Sequence, residues 1–186
     1  MNGFGKHLPN LLTGLRLAAA PALAFLLVRG ADRAALGVFA FAGLSDAADG
    51  FLAKRFGLAT RFGRILDPAA DKVLMLVSFA TLTILGIAPL WLTLLVIGRD
   101  TAILVGLLLA RVLNIPVAVA PLLIGKACMA MQMIYIALAL VLLTAGLQWP
   151  QFENAAADAT ALLTIGSLLG YVVVGAKALG RQRSPA

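Results

Sequence analysis

The sequence predicts an all-α integral membrane protein of six transmembrane helices. Composition comes first. Of 186 residues, 62% are hydrophobic and 12% charged, where soluble domains carry about 25% charged residues. Apolar tracts of ~20 residues, the length that crosses a hydrocarbon core, use nearly all of the chain. Glycine, proline and asparagine breaks separate them, as turns require. The length is about that of one domain, so 1–186 reads as a single membrane domain.

Each helix is bounded by such breaks. Met1 to Leu8 is read as a short amphipathic segment at the interface, without the small-residue cleavage pattern of a signal peptide. The first span is expected from Pro9 to Val28, ending at Arg29-Gly30-Ala31-Asp32. The second runs from Arg33 to Phe56, carries Asp46 and Asp49 in its later half, and stops at Gly57. The third runs from Arg61 to Leu85 with Asp67 and Asp71 in its early half, and Gly86 to Pro89 close it. The fourth covers Pro89 to Leu113, interrupted by Arg99 and Asp100 and ended by Asn114-Ile115-Pro116. The fifth covers Val119 to Ala145, followed by a break from Gly146 to Pro150, and the sixth Asn154 to Leu179. Soluble domains, low-complexity runs and internal repeats are not evident.

Charge sets the orientation. With the N-terminus inside, Lys6, Lys54, Arg55, Arg61, Arg64, Arg111, Lys126, Lys177, Arg181 and Arg183 are internal, and only Arg29 and Arg33 external. Such a bias places both termini and the acidic cluster at the cytoplasmic face. A bacterial inner membrane is the expected location. The net charge of +7 would suggest nucleic acid for a soluble protein. Here it is read as basic loops meeting anionic membrane lipid, with no nucleic-acid partner. Cys128, the single cysteine, excludes an intrachain disulfide and reads as a buried, inert thiol.

Four of the eight acidic residues lie between Asp46 and Asp71. Asp46 and Asp49 are three apart and Asp67 and Asp71 four apart, so each pair shares a helix face. Gly50 and Ala53 continue the first face, and Gly63 lies one turn before Asp67. Small residues allow close approach and leave room for a ligand. A short turn at Gly57 would make the two helices antiparallel neighbours. Converging carboxylates repel one another without a cation. Four oxygen donors suit Mg²⁺ or Mn²⁺ rather than zinc, and His7 with Cys128 cannot build a typical zinc site. The plainer alternative is a set of helix-end acids paired with Lys54, Arg55, Arg64 and Lys72. Pro68 either loosens the helix at the site or marks its first turn.

The run Asp46-x2-Asp49-Gly50-x2-Ala53-Lys54-x8-Gly63-x3-Asp67-x3-Asp71 resembles the signature of the CDP-alcohol phosphotransferases, with every spacing kept. Its departure is Lys54 where that family usually has arginine. Lysine keeps the charge but loses the planar fork, and Arg55 is the other candidate for the role. A leading Pro9-Asn10-Leu11-Leu12-Thr13-x2-Arg16 and the six-helix length extend the resemblance over most of the chain. It implies transfer of a phosphatidyl group from CDP-diacylglycerol to an alcohol, releasing CMP. Two Mg²⁺ or Mn²⁺ ions are implied, held by Asp46, Asp49, Asp67 and Asp71, with Asp71 also the general base. Two metals can bridge phosphate oxygens and stabilise the leaving group. CDP-lipid contacts are implied for Asp46, Gly50, Ala53, Lys54 or Arg55, and Gly63. Asn10 and Thr13 are further candidates, their alternative being a helix cap. Homodimers are general in the family, so one is expected.

The acceptor is read elsewhere. Arg16, Arg99 and Lys126 interrupt apolar segments and together suggest a pocket for an acceptor phosphate. Interfacial snorkelling is the alternative, above all for Lys126. Gly37 to Asp46 and Val96-Ile97-Gly98-Arg99-Asp100 resemble cardiolipin synthases of the CDP-alcohol type, whose acceptor is phosphatidylglycerol. Phosphatidylglycerophosphate synthases, which use glycerol 3-phosphate, tend to have a second arginine where Leu107 stands, and a Lys-x-Lys-Thr tract where this chain has Lys126-Ala127-Cys128-Met129. Fewer cations favour the phosphodiester acceptor, so cardiolipin synthesis is the preferred expectation and phosphatidylglycerophosphate synthesis the alternative. A small metal or proton transporter is a more distant rival. It would also place acids in membrane helices, but usually with inverted repeats near the midplane.

Overall fold

The computed structural model describes residues 4–56, 63–113 and 122–183, and, of these, the side chains of 14–45, 69–113 and 122–178. Six α-helices follow one another: α1 (Phe4–Val28), α2 (Asp32–Phe56), α3 (Gly63–Ile84), α4 (Leu90–Val112), α5 (Leu123–Ala145) and α6 (Pro150–Arg183). The expected helices are all present. The turns expected at Gly57 and at Asn114-Ile115-Pro116, and the expected start of the fifth helix at Val119, lie outside the described residues.

Boundaries shift for local reasons. Pro150 opens α6 four residues before the expected start, because a proline's fixed φ suits the first helical position and its missing N–H is not needed there. The N–H groups of Phe152 and Glu153 bond the Trp149 carbonyl at 3.0 and 3.1 Å. At 34 residues, α6 is about 50 Å long at 1.5 Å per residue, beyond the ~30 Å of a hydrocarbon core. In α1 the helix begins at Phe4, so the segment expected to lie apart from the first span continues into it. Pro68 is the sixth residue of α3, past the first turn, so the first-turn reading is corrected. A proline at that position has no N–H to donate within the helix.

Three helices end in the same way. Gly30, Gly86 and Gly146 have φ of 69°, 73° and 64°, a left-handed conformation costly for other L-residues. Around Gly30, its N–H bonds the Leu27 carbonyl at 3.0 Å and the Ala31 N–H bonds the Leu26 carbonyl at 2.9 Å. The pairs Gly86 to Thr83 and Ile87 to Leu82, then Gly146 to Leu143 and Leu147 to Leu142, repeat the pattern. These Schellman caps satisfy carbonyls that would otherwise be exposed.

The chain forms two compact units. The first comprises Met1–Ala88 and Ile136–Gln148. In it, α1 packs against both α2 and α3. One stripe of α1 is buried, through Arg16, Ala19, Ala20, Leu23 and Leu27, a helical spacing of three and four. Ala35, Phe39 and Ala42 are buried on α2, and Ala70, Leu74, Met75, Phe79 and Leu82 on α3. The alanines let helix axes approach closely.

The second unit comprises Pro89–Tyr135 and Trp149–Ala186, with α4 packed on α6. The boundary between the units falls within α5. Gly166 and Gly170 on α6 lie against the chain at Leu122 and Ile124, where an added Cβ would come within 3.0 Å of Ile124 Cδ1 and 3.2 Å of Leu122 Cδ1. Buried Cys128 and Gln132 meet Thr164, and the burial of Cys128 is as expected.

Apolar surroundings force polar groups to bond locally. Thr160 and Thr164 donate to carbonyls four residues back at 2.7 Å, as do Ser78 and Thr144. Among the described residues, three helical stretches are long and apolar enough to cross a membrane: Leu90–Val112, Leu123–Ala145 and Pro150–Ala178. Gly14–Val28 is a shorter apolar stretch.

Candidate active site

Sequence placed the donor chemistry on two helices, and both helices are continuous where it requires. Asp46 and Asp49 lie within α2, and Asp67 and Asp71 within α3. Their three- and four-residue spacings are therefore helical spacings. Both helices pack on α1. The side chains of Asn10, Thr13, Asp46, Asp49, Ala53, Lys54, Arg55 and Asp67, with Gly50 and Gly63, lie outside the described side chains. Among the described residues, no group of three or more His, Cys, Asp or Glu converges on one point.

Asp71 is described, and its partner was not anticipated. Arg16 Nη1 on α1 donates to Asp71 Oδ1 on α3 at 2.7 Å, with Arg16 1% and Asp71 27% exposed. A cation on an apolar helix needs a counter-charge. The sequence therefore signalled that Arg16 would have an acidic partner, but not which acid. The pair joins a residue expected at the acceptor phosphate to the one expected to act as base. Hard oxygen donors on α2 and α3 are the set that suits a divalent cation such as Mg²⁺ or Mn²⁺.

Arg99 makes polar contacts with its own helix and with α6. It is buried on α4, 6% exposed, and its Nη1 donates to Asp100 Oδ1 at 2.5 Å. Its Nη2 donates to Ser167 Oγ on α6 at 2.5 Å. The guanidinium lies over the Tyr171 ring, 5.8 Å from the centroid, within cation–π range. A Cβ at Gly125 would stand 3.3 Å from Tyr171 Oη and 3.6 Å from Arg99 Nη2. Among the described residues, Arg99 Nε is buried without a hydrogen-bond partner.

Lys126 is exposed. It shares the second unit with Arg99, whereas Arg16 belongs to the first. Ser167 and Tyr171 were missed in the sequence reading. The available signal was Gly166-x3-Gly170, a small-residue spacing that brings helices together and frames Ser167.

The chain belongs to the CDP-alcohol phosphatidyltransferase family, whose model matches residues 6–174. It is similar to a cardiolipin synthase (CMP-forming) of Rattus norvegicus, 38% identical over 110 residues, or 59% of this chain and 36% of that protein. A cardiolipin synthase (CMP-forming) of Streptomyces coelicolor is 41% identical over 104 residues, covering 53% of this chain and 48% of the relative. A probable phosphatidylglycerophosphate synthase of Mycobacterium tuberculosis is 37% identical over 105 residues, 53% of this chain and 50% of that one. The chain thus spans half or less of the length of these relatives.

Proposed function

We propose that this protein is a membrane-embedded phosphatidyltransferase of phospholipid biosynthesis that makes cardiolipin and CMP from CDP-diacylglycerol and phosphatidylglycerol. The carrying observation is the family match over residues 6–174. The similarity to proteins named cardiolipin synthase supports the acceptor. Family membership also displaces the transporter reading.

Asp46, Asp49, Asp67 and Asp71 would hold Mg²⁺ or Mn²⁺, two ions in the preferred reading. Bound there, the metal would neutralise the donor's diphosphate and stabilise the leaving group. The chain's own groups supply positioning and proton transfer. Asp71 accepts the proton of the acceptor hydroxyl. That oxygen forms a bond to the phosphatidyl phosphorus. The phosphorus–oxygen bond to CMP breaks, and its electron pair leaves with CMP. Arg16, ion-paired with Asp71, would bring an acceptor phosphate beside the base. Arg99, with Lys126 in a secondary role, would bind acceptor phosphate oxygen. Gly50, Ala53, Gly63, Asn10, Thr13 and either Lys54 or Arg55 would line the CDP-lipid site.

The same reading has six helices crossing the membrane, one membrane domain, a cytoplasmic active site and termini, a bacterial inner membrane and a homodimer. Synthesis of phosphatidylglycerophosphate from glycerol 3-phosphate is the second reading, favoured by the similarity to the Mycobacterium tuberculosis protein. Purified protein with CDP-diacylglycerol and Mn²⁺, offered phosphatidylglycerol and glycerol 3-phosphate separately, distinguishes them. Cardiolipin from the first acceptor is the expected product. Product only from the second reverses the assignment.

A further inference from the structure

We propose that Ser167 and Tyr171 on α6 are positioning residues for Arg99, holding its guanidinium so that Nε remains available to a phosphate oxygen of the acceptor. This rests on the acceptor reading of Arg99 and adds the device that aims it.

Three contacts immobilise the guanidinium. Asp100 and Ser167 each take one Nη at 2.5 Å, and the Tyr171 ring lies beneath at 5.8 Å. Of the three guanidinium nitrogens, Nε is the one buried without a partner among the described residues. A buried charged donor without an acceptor is unfavourable, so an arrangement that keeps one is poised for an oxygen that arrives from outside. Asp100 adjoins Arg99 in the chain and moves with α4. Ser167 and Tyr171 lie on another helix and therefore fix Arg99 in space.

The four-residue spacing of Ser167 and Tyr171 puts both on one α6 face. Gly166 and Gly170 precede them, and their lack of side chains permits the close approach to Leu122 and Ile124. Gly125 leaves room beside the ring, since an added Cβ there would stand 3.3 Å from Tyr171 Oη. A flexible arginine would reach the same anion, but each encounter would carry the cost of ordering it.

Kinetics of the full chain in lipid nanodiscs, with Mn²⁺ and CDP-diacylglycerol, tests this. Phosphatidylglycerol and glycerol 3-phosphate serve as acceptors in separate arms, and the arm that turns over is used. Ser167→Ala should raise acceptor KM roughly fivefold to tenfold, with kcat and donor KM within about twofold. Ser167→Thr should restore acceptor KM. Tyr171→Leu should raise it about threefold to fivefold, and Tyr171→Phe, which keeps the ring, far less. Combined with Arg99→Ala, Ser167→Ala should add nothing further, because it acts through Arg99.

Unchanged acceptor KM in both Ser167→Ala and Tyr171→Leu, while Arg99→Ala raises it, overturns the positioning role and leaves the acceptor role of Arg99 standing. Full additivity of Ser167→Ala with Arg99→Ala also overturns it. A donor-only defect in Arg99→Ala removes the acceptor reading and the positioning role together. If Ser167→Ala does not fold, the Tyr171 pair carries the test.

Discussion

Among the described residues, the buried arginines Arg16 and Arg99 are held differently, and the difference separates their uses. Arg16, in the first unit, reaches from α1 to a carboxylate on α3, 55 residues away in the chain. Arg99, in the second, has its carboxylate next door at Asp100, while its cross-helix contacts are a hydroxyl and an aromatic ring. An ion pair between helices ties packing to the charge state of the site. Arg99 takes its counter-charge from its own helix, and the neutral contacts between helices fix its guanidinium in place without adding a second one. On the proposed function, Arg16 thus belongs with the base and Arg99 with acceptor recognition.

Chelation should have the largest effect. Verified removal of divalent metal is expected to abolish CMP release, and Mg²⁺ or Mn²⁺ to restore it. Full turnover without metal would remove the carboxylates of α2 and α3 from metal binding. Next comes Asp71→Asn, which should lower kcat by about 10²- to 10⁴-fold, the range for a lost general base. Metal binding, read by calorimetry, should fall less. Wild-type turnover in this variant excludes Asp71 as the essential base.

Arginine variants test the contrast itself. Arg99→Ala should raise acceptor KM by about tenfold to a hundredfold, corresponding to ~1.5–3 kcal/mol for a hydrogen bond to a charged group. Donor KM should remain within about twofold. Arg16→Ala should lower kcat as well as raise acceptor KM, because it removes a partner of Asp71. It should also reduce the unfolding temperature more than Arg99→Ala does, since a cross-helix ion pair is lost. Matching kinetic signatures for the two variants would dissolve the distinction between them.

Helices and their outer breaks were legible because glycine, proline and apolar runs act locally. Gly30, Gly86 and Gly146 stand in the expected breaks and adopt the conformation only glycine enters easily. The Asp46 to Asp71 register was legible because helical spacing follows from chain separation. Long-range pairing was not. Nothing in Arg16's neighbourhood specifies Asp71 over other acids, since the choice depends on how α1 crosses α3. Ser167 and Tyr171 likewise look like ordinary residues of an apolar helix until α4 is packed against it. Pro150 was read as part of a break, although the same fixed φ that ends one helix can start the next.

The smallest expected effect separates backbone from packing. An added Cβ meets nothing within 4 Å at either Gly30 or Gly37. Gly30 sits at φ 69° at the end of α1, whereas Gly37 lies within α2. Gly30→Ala should therefore lose roughly 1–2 kcal/mol, the cost of placing an L-residue in the left-handed region. Gly37→Ala should lose nothing, because alanine is the better helix former. Unfolding of both variants in one detergent measures the difference. The α4 terminus in the second unit sharpens it, for its cap, Leu113, has φ −82° and ψ 4° and needs no glycine. If Gly30→Ala and Gly37→Ala shift stability equally, the left-handed cap is not what holds the end of α1. In that case the contacts of α1 with α2 and α3 set its boundary.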